Sequence, residues 1–440
     1  MRLIRLLKKD LAKEVSEWAD DGLISPQQAR DICARYDIDY DTMSHQSLGY
    51  RLLIVLGYLF IGLSVITLLG ANWDEIPRML RMLGLLVVTA TIHGVAIRAY
   101  AQGQKANATG LFLLGNLFYG ASIILVAQIY HLGEHMPDGV FWWALGSLPI
   151  ALLLHNSWLT LFSCLLGLLW FVLELSYGFF PALFPLFIAG GLFGLLKAST
   201  NTPLFLTVVV SMVLFVESLL SVAWAGGNNY LDIYPEHFLV SAALFVFAYA
   251  VSHSLHSASS NKAKDYGTVL SLWSLRFGLL MLFVLSYIEP WEGLIEQEWS
   301  HLRDACVVIG LFSASSIGLA WRTQSLASVL PVVGFYLVSM AFVLMSSNSA
   351  DAIYFQVFYN VVLVGAGVGL VINGINNGVS HYFILGVATI LLMAFIRYVD
   401  LIGDYVGGAI LFMLLAAMLL GAARYWRRQQ AKQQTKQARL

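Results

Sequence analysis

Charge is scarce in this chain. Lys, Arg, Asp and Glu make up 12% of its 440 residues, about half the share usual in a soluble domain. That is too little polar surface to cover several soluble cores, which argues against a large soluble protein. The net charge of −1 offers no basic field, so no nucleic-acid partner is expected. Cysteine is sparse too. Cys33, Cys164 and Cys306 are scattered, which excludes a disulfide framework and a CxxC metal site. Residues 1–50 are polar and charged, so no cleavable signal peptide is expected. The first apolar run, from Leu52, is expected to direct insertion.

What is abundant is long apolar sequence. Hydrophobic residues reach 59%, with a mean hydropathy of +0.74. A membrane helix needs about 20 apolar residues. Runs of that kind fall at 52–70, 82–100, 108–130, 140–154, 159–176, 180–197, 203–224, 237–253, 268–288, 304–321, 325–346, 352–373, 380–397 and 405–425. They predict an all-α polytopic transmembrane bundle of 14 spans. The count becomes 12 if 140–154 and 159–176, split only by His155-Asn156-Ser157-Trp158, are broken segments. The runs lack the alternation of a membrane β-barrel.

The basic residues then set an orientation. Of the 25 Lys and Arg, only Arg78, Arg81, Arg303 and Arg397 fall on the outer side and Arg276 within a span. The others lie on one side, which the positive-inside bias makes cytoplasmic, with both termini there. Trp73, Trp142, Trp143, Trp158, Trp224, Trp321 and Trp426 fall at span ends, as aromatic belts do. The expected organisation is a cytosolic helical hairpin at 1–48, the bundle at 49–425 and a basic tail at 426–440.

In the hairpin, Ile4, Leu7, Leu11, Val15 and Trp18 form a helical stripe, with most basic residues off it. It suits either an anionic inner leaflet or packing on a second helix. Ser25-Pro26-Gln27-Gln28 reads as the start of that second helix, with the capping-box spacing. So small a hairpin is no enzyme domain; it suits a protein partner or a membrane-proximal plug. Trp291, Leu294, Ile295, Trp299 and Leu302 predict a short interfacial helix within 289–303.

Three stretches carry a family resemblance. They are Trp18-Ala19-Asp20-Asp21-Gly22-Leu23-Ile24-Ser25, Gly70-Ala71-Asn72-Trp73-Asp74-Glu75-Ile76-Pro77, and Gly115-Asn116-Leu117-Phe118-Tyr119-Gly120 on to Gln128-Ile129-Tyr130-His131. Together with Arg397-Tyr398-Val399-Asp400, they make the chain resemble the bacterial membrane proteins known as domain of unknown function 2157. The resemblance implies a bacterial inner-membrane protein and carries no activity with it.

Ionisable groups inside spans are costly and point to function by default. Glu217 and Arg276 stand out, at depths that differ by roughly 9 Å at about 1.5 Å per residue. A buried pair would spare each a lone charge. It is read either as a structural ion pair or as a substrate or proton-coupling site. Asn116, His93, Gln128 and Asn360 are further polar groups in spans, for which interhelical hydrogen bonding is the commoner role. Asn116 lies between Gly115 and Gly120, where backbones can approach. Trp73, Asp74 and Arg78 belong to an external turn, with Asp74 and Glu75 positioned to pair with Arg78 and Arg81. That turn is read as a clasp or as a ligand site.

His131-Leu132-Gly133-Glu134-His135 fits a zinc-peptidase spacing, H-x-x-E-H. Gly133 and Pro137 break the helix that this chemistry needs, so no catalytic metal is expected, and no cofactor. Gly365-Ala366-Gly367-Val368-Gly369 lies in an apolar run with no preceding strand, so it reads as helix packing rather than phosphate binding. Pro149, Pro185 and Pro331 fall within spans. No nucleophile–base set appears, so an enzyme is not expected. The leading expectation is a transporter-like protein for a small solute, ion or lipid. The alternative is a scaffold, sensor or assembly factor acting through the hairpin.

Overall fold

The computed structural model describes residues 8–35, 77–130, 135–225, 233–346 and 348–400, with a few isolated positions between 56 and 67 and at Met413. The expected span 405–425, most of 52–70, and Trp73 and Asp74 lie outside the described residues. Among the described residues the chain is helical, without strands. Eleven of the helices among the described residues are long and apolar enough to cross a membrane. The chain is therefore a multi-pass membrane protein.

Helix α1 (Lys8–Asp20) and helix α2 (Pro26–Arg35) close on each other around Val15, Ala29 and Cys33, all fully buried. Ser25 and Gln28 make both hydrogen bonds of the capping box. The Gln28 N–H donates to Ser25 Oγ at 3.2 Å, and the Ser25 N–H donates to Gln28 Oε1 at 2.8 Å. Burial pushes the Cys33 thiol above its ordinary pKa.

The chain divides into two compact units. The first takes residues 4–237 and 260–262; the second takes 238–259 and 263–440 with the first three residues. In the first unit, α3 (Arg78–Ala101) and α4 (Lys105–Tyr130) form an antiparallel pair. Next come α5 (Met136–Leu153) and α6 (Ser157–Ser176). Each of these is long enough to cross a membrane, so the break at 155–158 is a tight turn and not a disruption of either helix. Its sharpness has a local cause. His155 adopts a left-handed φ of 47°, and Asn156 Oδ1 accepts from the Trp158 and Leu159 N–H groups to cap α6.

The short helix lies elsewhere. The run at 180–197 forms only α7 (Pro185–Lys197), 13 residues long. That gives about 20 Å of helix against a hydrocarbon core of about 30 Å. Pro185 starts this helix, while Pro149 and Pro331 sit inside helices without ending them. Helix α8 (Thr202–Trp224) packs on α6 and α7. The core is aromatic: Trp170, Phe171, Phe184 and Phe187 are buried together. Gly167, Gly190, Gly191 and Gly194 each receive a neighbouring side chain where a Cβ would otherwise collide. Small residues let these helices approach without a hydrophobic driving force between them.

In the second unit, α9 (Glu236–Ser257) continues from the first, followed by α10 (Asn261–Val284) and α11 (Glu289–Ile295). Then come α12 (Leu302–Arg322), α13 (Leu326–Met345), α14 (Ala352–Asn377) and α15 (Ser380–Asp400). Three expectations change here. The interfacial helix is only seven residues, and its Trp291 is buried, donating to the Leu285 carbonyl at 2.7 Å. Gly365 and Gly369 face open space; the close approach is made by Gly367 and Gly374 on α14 against Ile390 and Phe383 on α15. Trp142, Trp158 and Trp321 are exposed as belt residues, but Trp224 is buried and Trp143 donates to the Asn116 carbonyl at 2.7 Å.

Many large apolar side chains face outward, among them Leu86, Val87 and Ile97 on α3. In water such a surface would aggregate; in a bilayer it is the surface that lipid covers.

Candidate functional site

Polar groups gather at one end of the first unit. Helices α5 and α6 are antiparallel neighbours, so the start of α5 lies beside the end of α6. His135 is the N-cap of α5, and Asp138 lies in its first turn. Glu174 lies in the last turn of α6, with a relative exposure of only 7%. His135 Nε2 is 2.9 Å from Glu174 Oε2. The Trp170 indole N–H donates to Glu174 Oε1 at 2.9 Å. The rings of Tyr177 and Phe179 meet the His135 ring edge-on, with centroids 5.5 and 5.3 Å away. Asp138 is exposed at the rim, and the ligating atoms of His135, Asp138 and Glu174 all lie within 4.8 Å of one another.

A second pair lies deeper. Helix α8 runs parallel to α6, because Asn201 and Ser157 meet at their starts through an Asn201 Nδ2–Ser157 Oγ hydrogen bond of 3.4 Å. Glu217 sits seven residues before the end of α8, about 10 Å along the axis. Its Oε2 is 2.7 Å from His237 Nδ1, and both side chains are largely buried. His237 lies at the start of α9 and leans on Trp224 with a centroid separation of 4.7 Å. Its Nε2 is buried without a hydrogen-bond partner among the described residues. Glu236, next in sequence, is fully buried.

The sequence-named candidates separate. His93 and Asn116 come together: the His93 ring lies on Gly115, and its Nδ1 is 2.9 Å from the Thr89 carbonyl. Asn116 is 1% exposed, and its Nδ2 has no hydrogen-bond partner among the described residues. Gly120 takes the Trp143 ring, so the close approach expected beside Asn116 is one of side chains onto glycine. Gln128 is exposed on α4 and joins none of these groups. Arg78 is exposed at the start of α3. Arg276 is exposed rather than buried, with its guanidinium 5.5 Å from the Trp273 ring centroid. Glu217 and Arg276 fall in different units.

Sequence reasoning missed Glu174 and His237 as site residues. A carboxylate two positions from the end of an apolar run is the signal that marked Glu174. His237 carried no such signal, because it reads as the first residue of a span. Arg397 was read as an outer-side charge. It lies against Tyr287, 4.7 Å from the ring centroid, and donates to the Ser286 carbonyl, to Ser286 Oγ at 3.2 Å and to Asn360 Oδ1 at 3.3 Å.

The chain matches no protein of curated function and no solved structure. The likeness of residues 397–400 and the carboxylates Glu174 and Glu217 lie outside the one matched region. Over residues 16–160 the chain matches the family described as Predicted membrane protein (DUF2157), which bears out the resemblance read from its sequence.

Proposed function

We propose that the chain is a transporter-like protein of the bacterial inner membrane, moving a small solute or ion, with Glu217 and His237 as the coupling pair. The observation that carries this is the carboxylate of Glu217, about 10 Å inside a spanning helix, meeting the imidazole of His237 at the start of α9. Ionisable groups at that depth mark ion and proton pathways in membrane proteins. Arg98, Lys105 and Lys197 lie at the opposite ends of their helices, and Lys262 donates to the Ala198 carbonyl beside Lys197. That supports a cytoplasmic basic end, cytoplasmic termini and an outward-facing polar end. Arg276 is kept as a candidate for substrate contact.

The test is water access. Glu217→Cys, in a chain whose Cys33, Cys164 and Cys306 are replaced, should react with a membrane-impermeant maleimide added from outside. Complete protection of that thiol, in protein that inserts normally, would refute the pathway. A second reading rests on α1 and α2, where Leu23 is 72% exposed and Trp18 37%. These could seat a protein partner. Deleting residues 1–45 should then abolish function while the spans still insert. Retained function would exclude that role.

A further inference from the structure

His135, Asp138 and Glu174 have a chemistry of their own. Glu174 is a buried carboxylate in the last turn of α6. The C-terminal end of a helix carries about half a negative charge, so this is the unfavourable pole for an anion. The facing N-terminus of α5 carries about half a positive charge and roughly offsets it. Two carboxylates and an imidazole then lie inside a radius that a single ion can bridge. A buried carboxylate so placed calls for a cation.

We propose that His135, Asp138 and Glu174 form a binding site for a divalent first-row transition ion, of which zinc is the best fit. One nitrogen and two oxygens suit this class. Calcium and magnesium favour all-oxygen sets, and no thiolate is present to select copper(I). Metal–ligand bonds of about 2.1 Å in a tetrahedral site place ligand atoms about 3.4 Å apart. The His135–Glu174 separation of 2.9 Å and the 4.8 Å limit on the set bracket that value. Small side-chain rotations suffice to reach it.

The surroundings are those of a held site. Trp170 fixes one oxygen of Glu174 and leaves the other facing His135. Tyr177 and Phe179 fix the imidazole plane. Such outer contacts set ligand orientation and affinity. Three ligands among the described residues leave a fourth position for water or a further side chain, and exposed Asp138 gives solvent a way in. The expected site is exchangeable, not a sealed structural one. Of the H-x-x-E-H spacing, His135 belongs to this set, and His131 and Glu134 lie outside the described residues. The site does not depend on the transport reading.

The test is equilibrium metal binding by the full chain in detergent micelles, stripped with chelator and titrated with zinc, manganese and magnesium chloride. Zinc should bind at one equivalent per chain, manganese more weakly in the Irving–Williams order, and magnesium not detectably. H135A, D138N and E174Q should each weaken zinc binding on the order of 10–100-fold or more, and W170F roughly tenfold. Glu217→Gln should leave binding unchanged. Should E174Q fail to fold, D138N at the exposed rim still decides the matter. Zinc that fails to bind stoichiometrically would overturn the proposal, as would zinc binding that survives H135A and D138N. A chain that binds zinc but protects Glu217→Cys from maleimide keeps the metal site and loses the transport reading.

Discussion

The two units handle charge differently. In the first, Glu174 and Glu217 face imidazoles, whose charge is optional. In the second, Arg397 is always charged, and it is held by the Ser286 carbonyl and hydroxyl, the Asn360 amide oxygen and the Tyr287 ring. A permanent charge wrapped in dipoles is a fixed joint between helices α10, α14 and α15. A carboxylate facing an imidazole presents two side chains of the types that ligate metal ions.

The largest expected effect breaks that comparison at its rigid side. Arg397→Met takes a donor from Ser286 Oγ and Asn360 Oδ1 and leaves the Ser286 carbonyl only the Asn360 amide at 3.0 Å. Hydrogen bonds to a charged group are worth about 1.5–3 kcal/mol each, so a loss of about 3 kcal/mol is expected in denaturant unfolding of the purified protein. Arg397→Lys should recover only part of this, because an ammonium lacks the planar fork. An Arg397→Met chain as stable as the parent would show that Arg397 is not a joint.

Packing gives the next effect. In the first unit a Cβ on Gly167 would lie 2.5 Å from the Phe187 ring, so Gly167→Leu should cost about 1–3 kcal/mol. In the second unit Gly365 has nothing within 4 Å, and Gly365→Ala should gain about 0.5 kcal/mol from the helix. Thermal melts of the two variants should move in opposite directions. Melts that fall equally would mean that the open face of Gly365 is covered in the membrane.

The acidic side should respond little in stability. Glu174→Gln retains an oxygen to accept from Trp170 and an amide to meet His135. It should shift unfolding by less than about 1 kcal/mol, while Glu174→Ala should shift it more by leaving both partners unmet. A large loss for the isosteric Gln would make the charge itself structural and erase the contrast with Arg397.

Much of the fold was legible because apolar runs and their polar breaks are local. His155-Asn156-Ser157-Trp158 marked a boundary that the structure makes a capped turn. Ser25 and Gln28 announced their capping box at the right spacing. Glycines were legible as packing residues, but the face was not. Gly365 and Gly369 have the usual spacing, yet the neighbour sits on the Gly367 side, and only α15 decides that. Glu217 was visible as a charge in an apolar run. Its partner His237 was not, because twenty residues and a loop separate them. The His135–Glu174 contact spans 39 residues and depends on α5 and α6 folding back on each other.

Cys33 offers the smallest and finest test, because its charge state is set by burial and not by a partner. Packed between α1 and α2 beside Val15 and Ala29, its thiol has a pKa raised above the ordinary value. The neutral form is the one that folding favours. Its contribution to stability is therefore full below the unfolded value, about 8.5, and is lost as pH rises through the higher folded value. With Cys164 and Cys306 replaced, Cys33 should react with a thiol reagent several-fold more slowly in the folded chain than in the denatured one at pH 7. The gap should narrow above about pH 9. Val15→Ala, which opens the pocket over the sulfur, should speed the folded reaction at pH 7 without changing the denatured rate. Equal rates at pH 7 in the parent chain would mean that α1 and α2 do not close on Cys33.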